Sequence, residues 1–162
     1  MSMLNIGWAS RDVTTDKPVS IPGQFYMRIS KGVLDPVTVT ALVIENNQDI
    51  VIFLSADLVV IHSHLLDDIR AKVREKNPQV PIEKIIMNAT HTHSAPSHIT
   101  SSEAAISTCL ASQILHDGIE IASAQEYKDF LVEQAAEAVC EAYERRARGG
   151  FAYGYGYAVV SH

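Results

Sequence analysis

Ile50-Val51-Ile52-Phe53-Leu54-Ser55-Ala56-Asp57 is the stretch that decides the fold class. Its first five residues are all apolar and mostly β-branched or aromatic, the pattern of a central strand covered on both faces. Downstream, Ile61, Leu65, Leu66, Ile69 and Val73 recur at helical spacing, and Lys76-Asn77-Pro78 stops that helix. Residues 81–89, Pro-Ile-Glu-Lys-Ile-Ile-Met-Asn-Ala, read as the next strand. Strand, helix and strand in that order form a βαβ unit with a parallel pair. Upstream, residues 37–46 are another strand, and Asn46-Asn47-Gln48-Asp49 turns it into a hairpin with 50–55. The predicted class is α/β: a mixed sheet with a βαβ unit and helices packed on it.

Two Ser/Thr-x-x-Glu capping boxes follow, at Thr100/Glu103 and Ser123/Glu126. The second opens a helix with Tyr127, Phe130, Leu131, Gln134, Ala135, Ala138, Val139 and Ala142 along one stripe. Arg145, Arg146 and Arg148 close it where the helix dipole favours cations, and Gly149 ends it. The first predicts a shorter helix over 102–115, broken at Asp117-Gly118. Packing on the sheet is the preferred reading there, and a lid over a site the alternative. In the tail, Phe151, Tyr153, Tyr155, Tyr157 and Val159 alternate with small residues, a period of two that predicts a strand with one aromatic and one nearly bare face. Such a face with an open strand edge predicts a homo-oligomer through the C-terminal strand.

The composition narrows the function. With 162 residues, 47% hydrophobic and 20% charged, the chain can bury a core. Thirteen Lys and Arg against nineteen Asp and Glu give a net charge of −6, so nucleic acid is a poor partner. No run is long and apolar enough for a transmembrane segment, and no signal peptide is visible, so a cytoplasmic location is expected. Cys109 and Cys140 lie in apolar helical patterns and read as buried, inert thiols rather than a disulfide framework.

Seven histidines include two His-x-His pairs. His62 and His64 fall at a helix start, where residues two apart diverge by roughly 200°, so they read as solvated. His91 and His93 fall at the exit of the 81–89 strand, where residues two apart point the same way. That is the sheet edge at which open α/β folds bind ligands, and the pair there points to metal binding or proton transfer. His98 is a third member of that cluster or, preferably, a loop histidine. Asp57 ends the neighbouring strand. It can ligate a metal, hold the far nitrogen of a ligating histidine, or cap the following helix. No Walker-A loop, nucleophile elbow, dinucleotide fingerprint or His-Glu-x-x-His is present.

Ala89-Thr-His-Thr-His-Ser-Ala-Pro96 resembles the Thr-His-Thr-His-Ser-Gly-Pro signature of neutral/alkaline non-lysosomal ceramidases and their bacterial relatives. The stretch from Ile6 to Thr14, Leu34-Asp35-Pro36 and the approach to Ser55-Ala56-Asp57 extend the resemblance over most of positions 5–96. It implies a zinc-dependent amidase cleaving an N-acyl bond with a metal-activated water. It implies Zn2+ as cofactor, a lipid or other small N-acyl substrate, His91 as a zinc ligand, and His93 and Asp57 as catalytic residues. The second histidine is an active-site group rather than a ligand in that pattern. Residues 1–162 would be the N-terminal part of a longer catalytic domain, with a further His, Glu and Tyr ligand beyond them. The alternatives are another metal-dependent hydrolase of amidohydrolase type and a non-catalytic, self-associating fragment.

Overall fold

A computed structural model describes residues 4–24, 26, 28–100 and 121–157. The predicted hairpin is present as β4 (Thr38–Glu45) and β5 (Ile50–Ala56), joined where the Asn46 side-chain oxygen accepts from the backbone of Gln48 and Asp49. The helix predicted from Ile61 to Val73 is α1 (Ser63–Lys76), and Leu65, Ile69 and Val73 are its buried stripe. β6 (Ile85–Ala89) then runs parallel to β5, completing the βαβ unit. The strand predicted over 81–89 is half that length. Pairing with β5 starts at Ile52↔Ile85, and Ile82–Lys84 form a 3₁₀ turn instead, with the Lys84 N–H donating to the Pro81 carbonyl at 2.9 Å.

Four further strands complete the described sheets. β1 (Leu4–Asp12) pairs antiparallel with β4, and β2 (Ser20–Ile21) pairs with β3 (Arg28–Ile29) in a separate two-stranded ribbon. α2 is Ala124–Glu144, and Ser123 caps it by accepting from the Glu126 N–H at 3.1 Å. This helix ends at Glu144, five residues short of the predicted Gly149. Arg148 and Gly149 belong instead to β7 (Ala147–Gly149), which pairs with β1. The main sheet has the order β6-β5-β4-β1-β7, with β5–β6 its one parallel pair among the described residues.

One face of the sheet carries Ala9, Ala41, Val43, Ile52, Leu54 and Ile85, all buried under α1 and α2. Each fully buried Leu or Ile contributes roughly 1.5–3 kcal/mol of apolar transfer. Gly7 lets α2 lie directly on β1: a Cβ there would meet the Ala142 carbonyl oxygen at 1.8 Å. Across the two helices, Lys128 pairs with Asp68 at 2.9 Å and Lys76 with Glu133. Tyr127 reaches from α2 to the end of β1 and donates to the Val13 carbonyl at 3.0 Å. Burial, followed by the charges of Asp57 and Asp12, pushes its hydroxyl well above the ordinary tyrosine range, so it remains a donor.

The opposite face corrects the expectation that β5 is covered on both sides. Trp8, Leu42, Phe53 and Ile86 form one row across four strands, with Trp8 61%, Phe53 41% and Ile86 53% exposed. No described helix or strand covers that row.

The tail is a second correction. Phe151, Tyr153, Tyr155 and Tyr157 are exposed, and residues 150–157 form no strand. β1 supplies a partner only to residues 147–149, and an alternating pattern without a neighbour has no ladder to join. The aromatic strand expected to drive self-association is therefore not formed by residues 150–157. Cys140 is buried on α2, and its thiol is raised by desolvation, as expected of an inert cysteine. The helix predicted over 102–115, Cys109, Glu103 and His162 lie outside the described residues.

Candidate functional site

β5 and β6 end side by side, with Ala56 opposite Ala89, so the residues after them emerge at the same sheet edge. Backbone bonds hold both exits: Asp57 N–H donates to Thr38 O at 2.9 Å and Thr90 N–H to Ala56 O at 3.0 Å. The Asp57 carboxylate reinforces them. Its Oδ2 accepts from the Thr38 backbone N–H at 2.8 Å and from Thr38 Oγ1 at 3.0 Å, while Oδ1 accepts from Thr90 Oγ1 at 3.1 Å. One side chain thus ties the start of β4, the end of β5 and the exit of β6. It is not a helix cap; that place is taken by His62.

His91 follows with φ +62°, a left-handed conformation that is uncommon outside glycine. This turn, rather than the two-residue period of a strand, brings the histidines together. Their Nε2 atoms are 3.4 Å apart and their ring centroids 5.0 Å apart, edge to face at 76°. His91 Nδ1 lies 2.6 Å from the Val59 carbonyl oxygen. A carbonyl only accepts, so Nδ1 carries the proton, and in the neutral form of the ring Nε2 is the acceptor that faces His93. The far nitrogen is therefore held by a backbone carbonyl and not by Asp57. Two nitrogens bound to one tetrahedral zinc at about 2.0–2.1 Å are about 3.3 Å apart, so the pair has the donor chemistry and spacing for one ion, or for a shared proton.

His93 is seated on the other side by the β2–β3 loop. Gly23, at φ +96°, faces its ring, and Arg28 Nη2 donates to the His93 carbonyl at 2.5 Å and the Pro22 carbonyl at 2.9 Å. A cleft of about 1020 Å³ opens beside the site. Val19, Ile21, Ile29 and Leu34 give it an apolar side, and Asp57 and Ser94 lie on its wall. The other described histidines are elsewhere. His62 caps α1 with its ring 6.1 Å from that of the buried His98, and His64 is exposed. Among the described residues no group of three His, Cys, Asp or Glu side chains is placed to hold a metal.

No family model matches the sequence, and no curated protein aligns with it. Solved structures do match. Neutral ceramidase from Pseudomonas aeruginosa superposes with a TM-score of 0.72 over 92% of this chain and 23% of that one, at 19% identity. A ceramidase complexed with C2 gives the same TM-score and identity over 92% of this chain and 22% of the other. The fold is similar to that of the matched part of neutral ceramidase. At this identity the likeness is one of fold, and the chain spans under a quarter of the length of those ceramidase chains. Three contributors to the site escape the sequence reading: the Val59 carbonyl, Gly23 and Arg28. Only Gly23, following a proline between polar and apolar runs, carried a usable turn signal.

Proposed function

We propose that the chain is part of a zinc-dependent, ceramidase-like amide hydrolase, and that residues 1–162 form the N-terminal portion of its catalytic domain. The observation that carries this reading is the facing Nε2 pair of His91 and His93 at the C-terminal edge of β5 and β6, on a neutral ceramidase fold. His91 is the proposed ligand, since its hydrogen bond to Val59 orients the ring and, in the neutral form, leaves Nε2 as the acceptor. Zinc, when bound, would polarise an amide carbonyl and lower the pKa of a bound water. His93, at 3.4 Å from that nitrogen, is placed to hold or move a proton beside the reacting carbonyl. Asp57 acts by fixing the exit of β6 through Thr90, and it lies on the wall of the cleft. The apolar side of the cleft suits the hydrocarbon of an N-acyl lipid.

A catalytic zinc takes three protein ligands and leaves one position to water. The described residues supply two imidazoles at most, so the missing ligands would come from elsewhere in the longer enzyme. The 162-residue chain is therefore expected to bind zinc weakly and to show little turnover of a fluorescent N-acyl sphingosine. Zinc titration of the chain and of His91→Ala, with that assay run alongside, tests the reading. Loss of zinc binding in the variant is expected. Equal binding by both would remove His91 as the ligand, and robust turnover by the chain alone would mean that the ligand set is already complete.

A further inference from the structure

His93 is held by a segment some seventy residues earlier in the chain, and it is held twice. The first hold is steric. Gly23 has φ +96°, and a Cβ built on it would lie 2.4 Å from His93 Nδ1 and 2.6 Å from Cγ. The imidazole fills the space where any other residue would carry its side chain. The second hold is on the backbone. A single guanidinium nitrogen, Arg28 Nη2, donates to the carbonyls of Pro22 and His93, joining the residue before Gly23 to the histidine itself. The loop is anchored at its base as well. Ser97 N–H donates to Ser20 O at 2.8 Å, and Ser30 N–H to Val19 O at 2.9 Å.

These contacts constrain different degrees of freedom. Arg28 fixes where the His93 backbone sits, and Gly23 limits how its ring turns about the side-chain bonds. Together they leave Nε2 as the nitrogen that faces His91. Without them, an exposed histidine in a loop samples several rotamers and meets His91 only part of the time. We infer that the β2–β3 loop is the seat that orients the His93 imidazole, with Gly23 and Arg28 as positioning residues for the His91–His93 pair. The chemical use of that orientation rests on the zinc-hydrolase reading above; the orientation itself does not.

The test uses the 162-residue chain with isotope-labelled histidine. Two readouts are taken: the nuclear Overhauser contact between the His91 and His93 rings, and affinity for Zn2+ alone by calorimetry. In Gly23→Ala the ring contact should disappear, while zinc affinity, which rests on His91, should fall by less than it does in His91→Ala. Arg28→Ala should do the same more weakly, and Arg28→Lys, which keeps a donor near both carbonyls, should restore part of the ring contact. Circular dichroism identifies any variant that fails to fold, and the Arg28 pair then carries the test. An unchanged ring contact in folded Gly23→Ala and Arg28→Ala would overturn the seat, whatever zinc does. Equal zinc affinity in the wild-type chain and in His91→Ala would refute the zinc reading. In that case the seat would stand or fall on the variants' ring contacts.

Discussion

His62-Ser63-His64 and His91-Thr92-His93 have the same spelling, and the fold treats them in opposite ways. The first pair opens α1. His62 is the N-cap, with extended backbone and no side-chain capping bond, and His64 is already in the first turn. Helical geometry sends residues two apart to different sides, so the two rings share no site. The second pair leaves β6, and a single left-handed residue folds the chain back on itself. Alternate residues of a strand lie about 6.7 Å apart along the backbone; here His91 is left-handed, and the two Nε2 atoms are 3.4 Å apart. What distinguishes a candidate site from two surface histidines is therefore the backbone that precedes them, together with what holds it. Around the second pair there are four holds: Asp57, the Val59 carbonyl, Gly23 and Arg28.

The largest expected effect breaks the second pair itself. In the complete hydrolase, His91→Ala should lose most of its zinc and fall to background hydrolysis. His93→Ala should retain much of its zinc and still lose most of its rate. Metal analysis beside the hydrolysis assay separates the two. Equal loss of zinc from both variants would make His93 a second ligand, an arrangement that its 3.4 Å separation from His91 also accommodates.

A smaller effect is expected from the hold beneath the pair. Asp57→Ala removes the acceptor for the Thr38 N–H, the Thr38 hydroxyl and the Thr90 hydroxyl at once. Hydrogen bonds to a charged group contribute about 1.5–3 kcal/mol, and water reaches this half-buried site to replace part of the loss, so a cost of about 2 kcal/mol is expected. Thr90→Val removes one of the three bonds and should cost about 1 kcal/mol. Thermal unfolding reads both, at about 2–4 °C per kcal/mol for a chain of this size. A Tm for Asp57→Ala within a degree of wild type would show that the carboxylate is free to serve chemistry rather than structure.

The same contrast explains what could be read from the residues alone. β4, β5, α1 and the capped start of α2 announce themselves because the information is local: an Asn-rich turn, a 3.6-residue stripe, a Ser three residues before a Glu. The position of β1 between β4 and β7 is not local. It depends on Gly7 admitting the Ala142 carbonyl, a contact between residues far apart in the chain. The tail misled for the complementary reason, since alternation at Phe151–Tyr157 is a local signal that needs a partner strand to have any effect. At the site, the histidine pair was legible as a pair, but its mode of convergence was not. A left-handed turn at a histidine has no sequence mark. A backbone carbonyl such as that of Val59 has no residue type to read, and Arg28 reaches His93 across sixty-five positions.

The smallest expected effect comes from the first pair, and it sharpens the contrast by being nearly absent. His64 is exposed in the first turn of α1, and its side chain makes no ion pair or hydrogen bond among the described residues. Ala is the better helix former by a few tenths of a kcal/mol, so His64→Ala should leave stability unchanged or slightly raised, within about 0.5 kcal/mol. Zinc affinity should not move either, since the exit of β6 is held by contacts that do not involve His64. Calorimetric zinc titration of His64→Ala beside His91→Ala is the measurement. A fall in zinc affinity from His64→Ala comparable to that from His91→Ala would mean that the chain's metal binding is the diffuse affinity of surface imidazoles. The backbone argument that separates the two pairs would then carry no chemical weight.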